Sequence, residues 1–164
     1  MKKRLPVMLL FCLIIYGAGY AKTIGFACIY NSDAPAESVE LTTTLETELF
    51  EFCFNRGFIA TSVEYIAGKS ERYKDNASLI KLFDSSIDYL VALYCEYKQG
   101  VGTIANKQSQ AVEWKSLQWK LVDFSSQSIL CEETVNPAKI SETELKQKMK
   151  QAGQAIGIKI LEAL

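Results

Sequence analysis

Residues 23 to 30 read TIGFACIY, a short and almost unbroken apolar run. A run of that length without alternation predicts a strand buried on both faces, central in a sheet. Asn31, Ser32, Asp33 and Pro35 break it, and Leu41, Leu45, Leu49, Phe52 and Cys53 then recur at helical spacing until Gly57 supplies a left-handed stop. Phe58 to Ile66 is rich in β-formers and gives a second strand, parallel to the first across the intervening helix. A shorter helix over about 76–86 turns Leu79, Ile80 and Phe83 inward, and Ile87 to Tyr97 forms the third strand.

The polar stretch from Gln99 to Gln110, rich in Gly, Gln, Ser and Asn, reads as a mobile hairpin tip. Gly100-Val101-Gly102 within it lacks the full glycine pattern and the following helix of a phosphate loop, so the turn reading is kept. Val112 to Val122 and Gln127 to Val135 are two further strands joined at Asp123-Phe124-Ser125-Ser126, where Asp and Ser side chains can bond their own backbone. Along the first of these, Leu117, Trp119 and Leu121 alternate with Gln118, Lys120 and Val122, one buried face against one mixed face. Pro137 ends the hairpin. Ser141 with Glu144 forms a capping box, and Leu145, Met149, Ala152, Ile156 and Ile160 make the inward stripe of a closing helix. The predicted order is β-α-β-α-β-β-β-α, an α/β sandwich with helices packed on a mixed sheet of about five strands.

The amino terminus stands apart from this pattern. Lys2, Lys3 and Arg4 precede an apolar run from Leu5 to Tyr16, and Gly17, Ala18, Gly19 and Ala21 follow, the layout of a secretory signal peptide cut after Ala21. Residues 22–164 then form one α/β domain, periplasmic or secreted. The apolar run is shorter than the roughly 20 residues of a spanning helix, which disfavours an uncleaved anchor. Cys12 lies within the run and Cys28 inside the first strand, which disfavours a lipoprotein signal. Any membrane contact would be through the uncleaved leader.

Composition narrows the chemistry. Without the leader, 18 basic and 19 acidic residues become a net charge of about −4, with no basic stripe of the kind a nucleic-acid binder needs. Glu37, Glu40, Glu46, Glu48 and Glu51 crowd the first helix and Lys146, Lys148, Lys150 and Lys159 the last, which reads as two solvated faces in weak attraction. Histidine is absent, so Ser-His-Asp and Cys-His arrangements are unavailable and the commonest zinc ligand is missing. Cys28, Cys53, Cys95 and Cys131 are separated by 25, 42 and 36 positions, with no CxxC. Three disulfide pairings are open to these four in an oxidising compartment. Four free thiols are expected, because a domain of this size holds together without staples. Glu132 and Glu133 point to opposite faces of a strand. No catalytic, metal or cofactor site is read, and the expectation is a non-enzyme; a Lys or Tyr enzyme, or a glycosidase assembled across the fold, stays open.

The segment DSSIDYLVALYCEYKQG, then WKSLQWKLVDFSSQSIL, then a terminal amphipathic helix resembles the core shared by a bacterial envelope superfamily. That superfamily contains the penicillin-binding-protein activator LpoB, the curli-secretion protein CsgG and the amino-terminal domain of TolB. The matching positions are Asp88-Tyr89-Leu90-Val91 at the opening of one strand and Asp123 at the turn of the hairpin. The chain departs from it in lacking the lipidation cysteine of LpoB and CsgG and the β-propeller of TolB. The resemblance implies an exported, non-enzymatic module that docks on or regulates an envelope protein of unknown identity; the alternative is a carrier of a small or lipidic ligand, which would need an internal cavity. Tyr97 and Trp114, flanking the loop, and Gly100 and Gly102 within it are the candidate interaction surface, with the two aromatics exposed on that reading and covering the sheet on the alternative one.

Overall fold

The TIGFACIY run forms β1 (Thr23–Asn31), and it is central as its composition requires. In the computed structural model, which describes residues 21–83, 87–104, 107–140 and 144–164, Ile24 to Ile29 of this strand are all buried, on both faces of the sheet. Residues 1–20 of the leader and Ser141 lie outside the described residues. Helix α1 (Ser38–Phe54) follows and closes with two bonds typical of a left-handed terminus, Gly57 N–H to Phe54 C=O at 3.0 Å and Phe58 N–H to Cys53 C=O at 3.2 Å. Gly57 takes φ +85°, which a side chain would strain.

The expected second strand is two short ones, β2 (Ile59–Ser62) and β3 (Ile66–Gly68), both parallel to β1. The expected helix over 76–86 is likewise two pieces, α2 (Ser70–Lys74) and α3 (Asn76–Ile80); Asp75 caps the second by accepting from Ser78 N–H. β4 (Tyr89–Ile104) then runs parallel to β1, and β5 (Lys107–Asp123) and β6 (Ile129–Val135) complete a six-stranded mixed sheet in the order β2-β1-β4-β5-β6, with β3 beside β1. A 3₁₀ turn (Pro137–Lys139) leads to α4 (Leu145–Ala163), whose N-cap Glu144 makes no side-chain cap bond.

The sheet has a helical layer on each face. Phe26, Cys28, Leu93, Trp119 and Leu121 meet the inward stripes of α1 and α4, while Ile29, Ala92, Tyr94 and Val122 meet Tyr73 and Leu79 from the short helices and Phe83 just after them. The fold is thus α/β with helices on a mixed sheet, as predicted. The acidic and basic helices attract each other within the chain: Lys146 pairs with Glu40 at 2.5 Å, and Gln154 donates to Glu48 at 2.7 Å. No helix among the described residues is long and apolar enough to cross a membrane.

All four cysteines of the described chain are free thiols, three buried and Cys131 half-buried. Burial pushes the Cys53 thiol up to about 11 and Cys95 to about 12, so neither is a ready nucleophile. Thiol titration should find one fast-reacting group, Cys131, in the native protein and all four in denaturant; two or more missing thiols in denaturant would contradict the free-thiol structure.

Candidate functional site

β4 and β5 do not stop where the rest of the sheet stops. The last pair between β1 and β4 is Tyr30 with Cys95, and β6 meets β5 only from Leu117 onward. The β4–β5 ladder nevertheless continues through eight more pairs, from Tyr97 with Trp114 to Ile104 with Lys107. The stretch expected to be a mobile hairpin tip is therefore a paired ribbon, with only residues 105 and 106 outside the described strands. Its physical reason is a period-2 pattern, Val101 and Thr103 alternating with Gly100 and Gly102, which suits a two-stranded ladder as well as a loop. At about 3.3 Å per residue, the arm extends about 25 Å.

At the base of the arm the two aromatics cover the sheet and are not the exposed surface that the interaction reading required. Tyr97 is 2% exposed and Trp114 4%, and both belong to the core under α1 and α4. Strict alternation from Leu117 would turn Lys115 inward and Trp114 outward. The register instead shifts between Glu96 and Tyr97, so that Ser116 faces Glu96, Trp114 faces Tyr97, and Lys115 is the extra residue. The bulge sends Lys115 to solvent and Trp114 to the core. Trp114 Nε1–H donates to Ser116 C=O at 3.1 Å, and the Tyr97 hydroxyl meets Thr42 Oγ1 at 2.8 Å. Burial holds the Tyr97 hydroxyl far above its usual pKa, so it stays neutral.

Asn31, the last residue of β1, fixes the arm to the sheet. Its Nδ2 donates to Tyr97 C=O at 2.8 Å and its Oδ1 accepts from Tyr97 N–H at 2.8 Å, the two bonds that a continued β1 would have made from two successive peptides. The Asn31 amide also donates to Asp33 Oδ1 at 2.8 Å, which holds that carboxyl below its usual range. Asn31 and Asp33 border a cleft of about 550 Å³ at the carboxyl ends of β1 and β3, where one loop leaves for α1 on one face of the sheet and the other for α2 on the opposite face. Divergence of adjacent loops is the usual geometry of binding crevices in α/β sheets. Lys69, Glu71, Glu96, Lys98 and Lys115 give this cleft a mixed charge. Lys115 pairs with Glu96 at 2.6 Å, which lowers the Glu96 carboxyl and raises the lysine. A second, smaller cleft of about 390 Å³ lies across the arm, between Trp114 and Pro137.

Sequence reading missed one buried charge. Lys120 is 2% exposed, donates to Tyr73 C=O and lies 4.3 Å above the Tyr73 ring, whose hydroxyl reaches Glu132 at 3.1 Å. Burial lowers the Lys120 pKa. The group ties α2 to the sheet beside the larger cleft, and the lone basic residue on the otherwise uncharged inner half of a strand was its signal. Asp88 and Asp123, the positions that carry the family pattern, are structural: Asp88 Oδ2 accepts from Thr23 N–H at 2.7 Å, and Asp123 Oδ1 accepts from Ser126 N–H and the Ser125 hydroxyl at 2.8 Å each. The bonds from Ser126 and Ser125 draw the Asp123 carboxyl down to about 2. No group of three potential metal ligands occurs among the described residues.

Residues 23–164 match one family model, described as an uncharacterised protein. The chain belongs to that family. No curated protein matches it. Among solved structures it is similar to a neuraminyllactose-binding hemagglutinin homolog from Helicobacter pylori at 13% identity and TM-score 0.48, over 88% of this chain and 83% of that one. It is similar to TolB from Acinetobacter baumannii at 17% identity and TM-score 0.48, over 88% of this chain but 28% of TolB. It is similar to the PelC dodecamer from Paraburkholderia phytofirmans at 10% identity and TM-score 0.46, over 84% of this chain and 87% of that one.

Proposed function

We propose that the chain is an exported envelope protein that works by docking on another protein and not by catalysis. The observation that carries this reading is the two-stranded arm, about 25 Å of paired backbone standing beyond the sheet, flanked at its base by two open clefts. Paired ribbons of this kind hold a fixed shape while leaving their outer backbone groups available to a partner. The leader pattern of residues 1–21 and the resemblance to LpoB, CsgG and TolB supply the envelope setting. The carrier alternative needs an enclosed apolar chamber, whereas the clefts described here open to solvent and the larger one is bordered by charged side chains. The docking surface is the arm backbone and the cleft rims, with Gly100 and Gly102 on the arm and Tyr97 and Trp114 as its buried footing.

The test is to replace residues 99–110 by a two-residue turn and compare crosslinked capture of envelope proteins by parent and shortened chains. Because no third strand of the described structure pairs with the arm, its removal should move Tm by only a few degrees, about 1 kcal/mol or less. Capture of the partner should fall by about tenfold or more. Equal capture by a folded, shortened chain would reject the arm as the contact surface, and unaided turnover of an envelope substrate by the parent would reject docking itself.

A further inference from the structure

We infer that the partner contributes an extended polypeptide segment, which adds as a strand along the β4 edge of the arm in the line that β1 vacates at Asn31. This rests on the docking reading above and names the kind of partner. The first observation is what already occupies that edge: a carboxamide, from Asn31, mated to both the N–H and the C=O of Tyr97. The edge is thus an amide-binding edge at its first position. Backbone groups on one side of a strand recur every second residue, so those of Gln99, Val101 and Thr103 point the same way as those of Tyr97. Among the described residues no strand pairs with them. The second observation is room: the 550 Å³ cleft lies directly at this start, bordered by β1, β3 and β4 residues, and gives an incoming chain a path onto the edge.

The opposite edge of the arm fits less well. The 3₁₀ turn with Pro137, Ala138 and the start of α4 lies against the base of β5, where Asn136, Pro137 and Leu145 share the smaller cleft with Trp114. Charge sets the character of the incoming segment. Asp33, Glu71 and Glu96 face Lys69, Lys98 and Lys115 around the cleft, so a polar segment carrying both signs matches it and an apolar one does not. Main-chain bonds supply the affinity in such strand addition, and the alternate side chains facing the cleft supply selectivity.

The test uses a phage-displayed library of random dodecapeptides selected on the full chain, followed by residue-resolved amide exchange with the selected peptides. Bound peptide should slow exchange at Gln99, Val101 and Thr103 by about tenfold or more, and N-methylation of alternate peptide residues should weaken binding by a similar factor. Failure to enrich any peptide, binding that leaves these three amides unchanged, binding indifferent to N-methylation, or occupation of the edge by a second copy of the chain would each overturn the inference. The two readings separate cleanly. If shortening the arm abolishes partner capture while the partner leaves Gln99, Val101 and Thr103 unprotected, docking stands and strand addition falls. If peptides protect the edge but capture survives the shortening, the captured partner docks elsewhere, and the inference falls together with the arm as its contact surface while docking as such stands.

Discussion

Asn31→Ala should lower stability by about 2–4 kcal/mol, a fall in Tm of roughly 5–15 °C for a domain of this size. The substitution removes three bonds at once, two to the Tyr97 backbone and one to Asp33, all at 2.8 Å. The costly part is what remains. Tyr97 is 2% exposed, so its N–H and C=O lose their partners inside the protein, and an unmet buried backbone group costs about 1–3 kcal/mol. Asn31→Asp keeps an acceptor for the N–H but sets its second oxygen against the Tyr97 carbonyl and the Asp33 carboxylate, so its loss should match or exceed that of alanine. Thermal unfolding of the three proteins gives the order, and an alanine variant within about 0.5 kcal/mol of the parent would show that Asn31 does not hold the arm to the sheet.

Gly157→Ala should destabilise by a net of about 1–2 kcal/mol even though alanine is the better helix former by about 1 kcal/mol. A Cβ at this position would lie 2.4 Å from Phe52 Cδ1 and 2.6 Å from Phe52 Cγ, contacts that force α1 and α4 apart or drive the ring from its place. The ring is held there by the Arg56 guanidinium, 3.7 Å from its centroid. The sign depends on the partner, which makes the prediction specific. In a Phe52→Ala background the clash is gone, and Gly157→Ala should then stabilise by about 1 kcal/mol through helix propensity alone. Denaturant unfolding of the four proteins in this cycle measures the coupling; the same sign in both backgrounds would contradict the packing described.

Much of the layout was legible in the chain because local pattern and global fold agree. The apolar run at β1, the stripes of α1 and α4 and the left-handed stop at Gly57 each point to one structure, and each is found. The failures sit where one extra residue or one distant element changes the outcome. A single bulge at Lys115 reverses which of two neighbours is buried, and periodicity read on either side of it gives no warning. Lys120 lies on a face that sequence reading left mixed, because the short helices that cover it carry only five residues each and a weak apolar signal. The arm was misread for a different reason: glycine, serine and glutamine are common in turns, and their order along this segment suits a loop as readily as a ladder.

The docking arm requires an ordered ribbon whose two outer edges are unpaired. Residue-resolved amide hydrogen exchange of the free protein reads this directly. Antiparallel pairing with β5 engages alternate residues, so Lys98, Gly100, Gly102 and Ile104 should exchange slowly, and Gln99, Val101 and Thr103 at nearly the rate of open backbone. On β5 the same alternation should appear, with Ser109, Ala111 and Glu113 slow and Gln108 and Gln110 fast. Uniformly fast exchange from residue 98 to residue 113 would return the segment to a loop, and uniformly slow exchange would mean that its outer edges are already occupied; either result would contradict the docking arm described here.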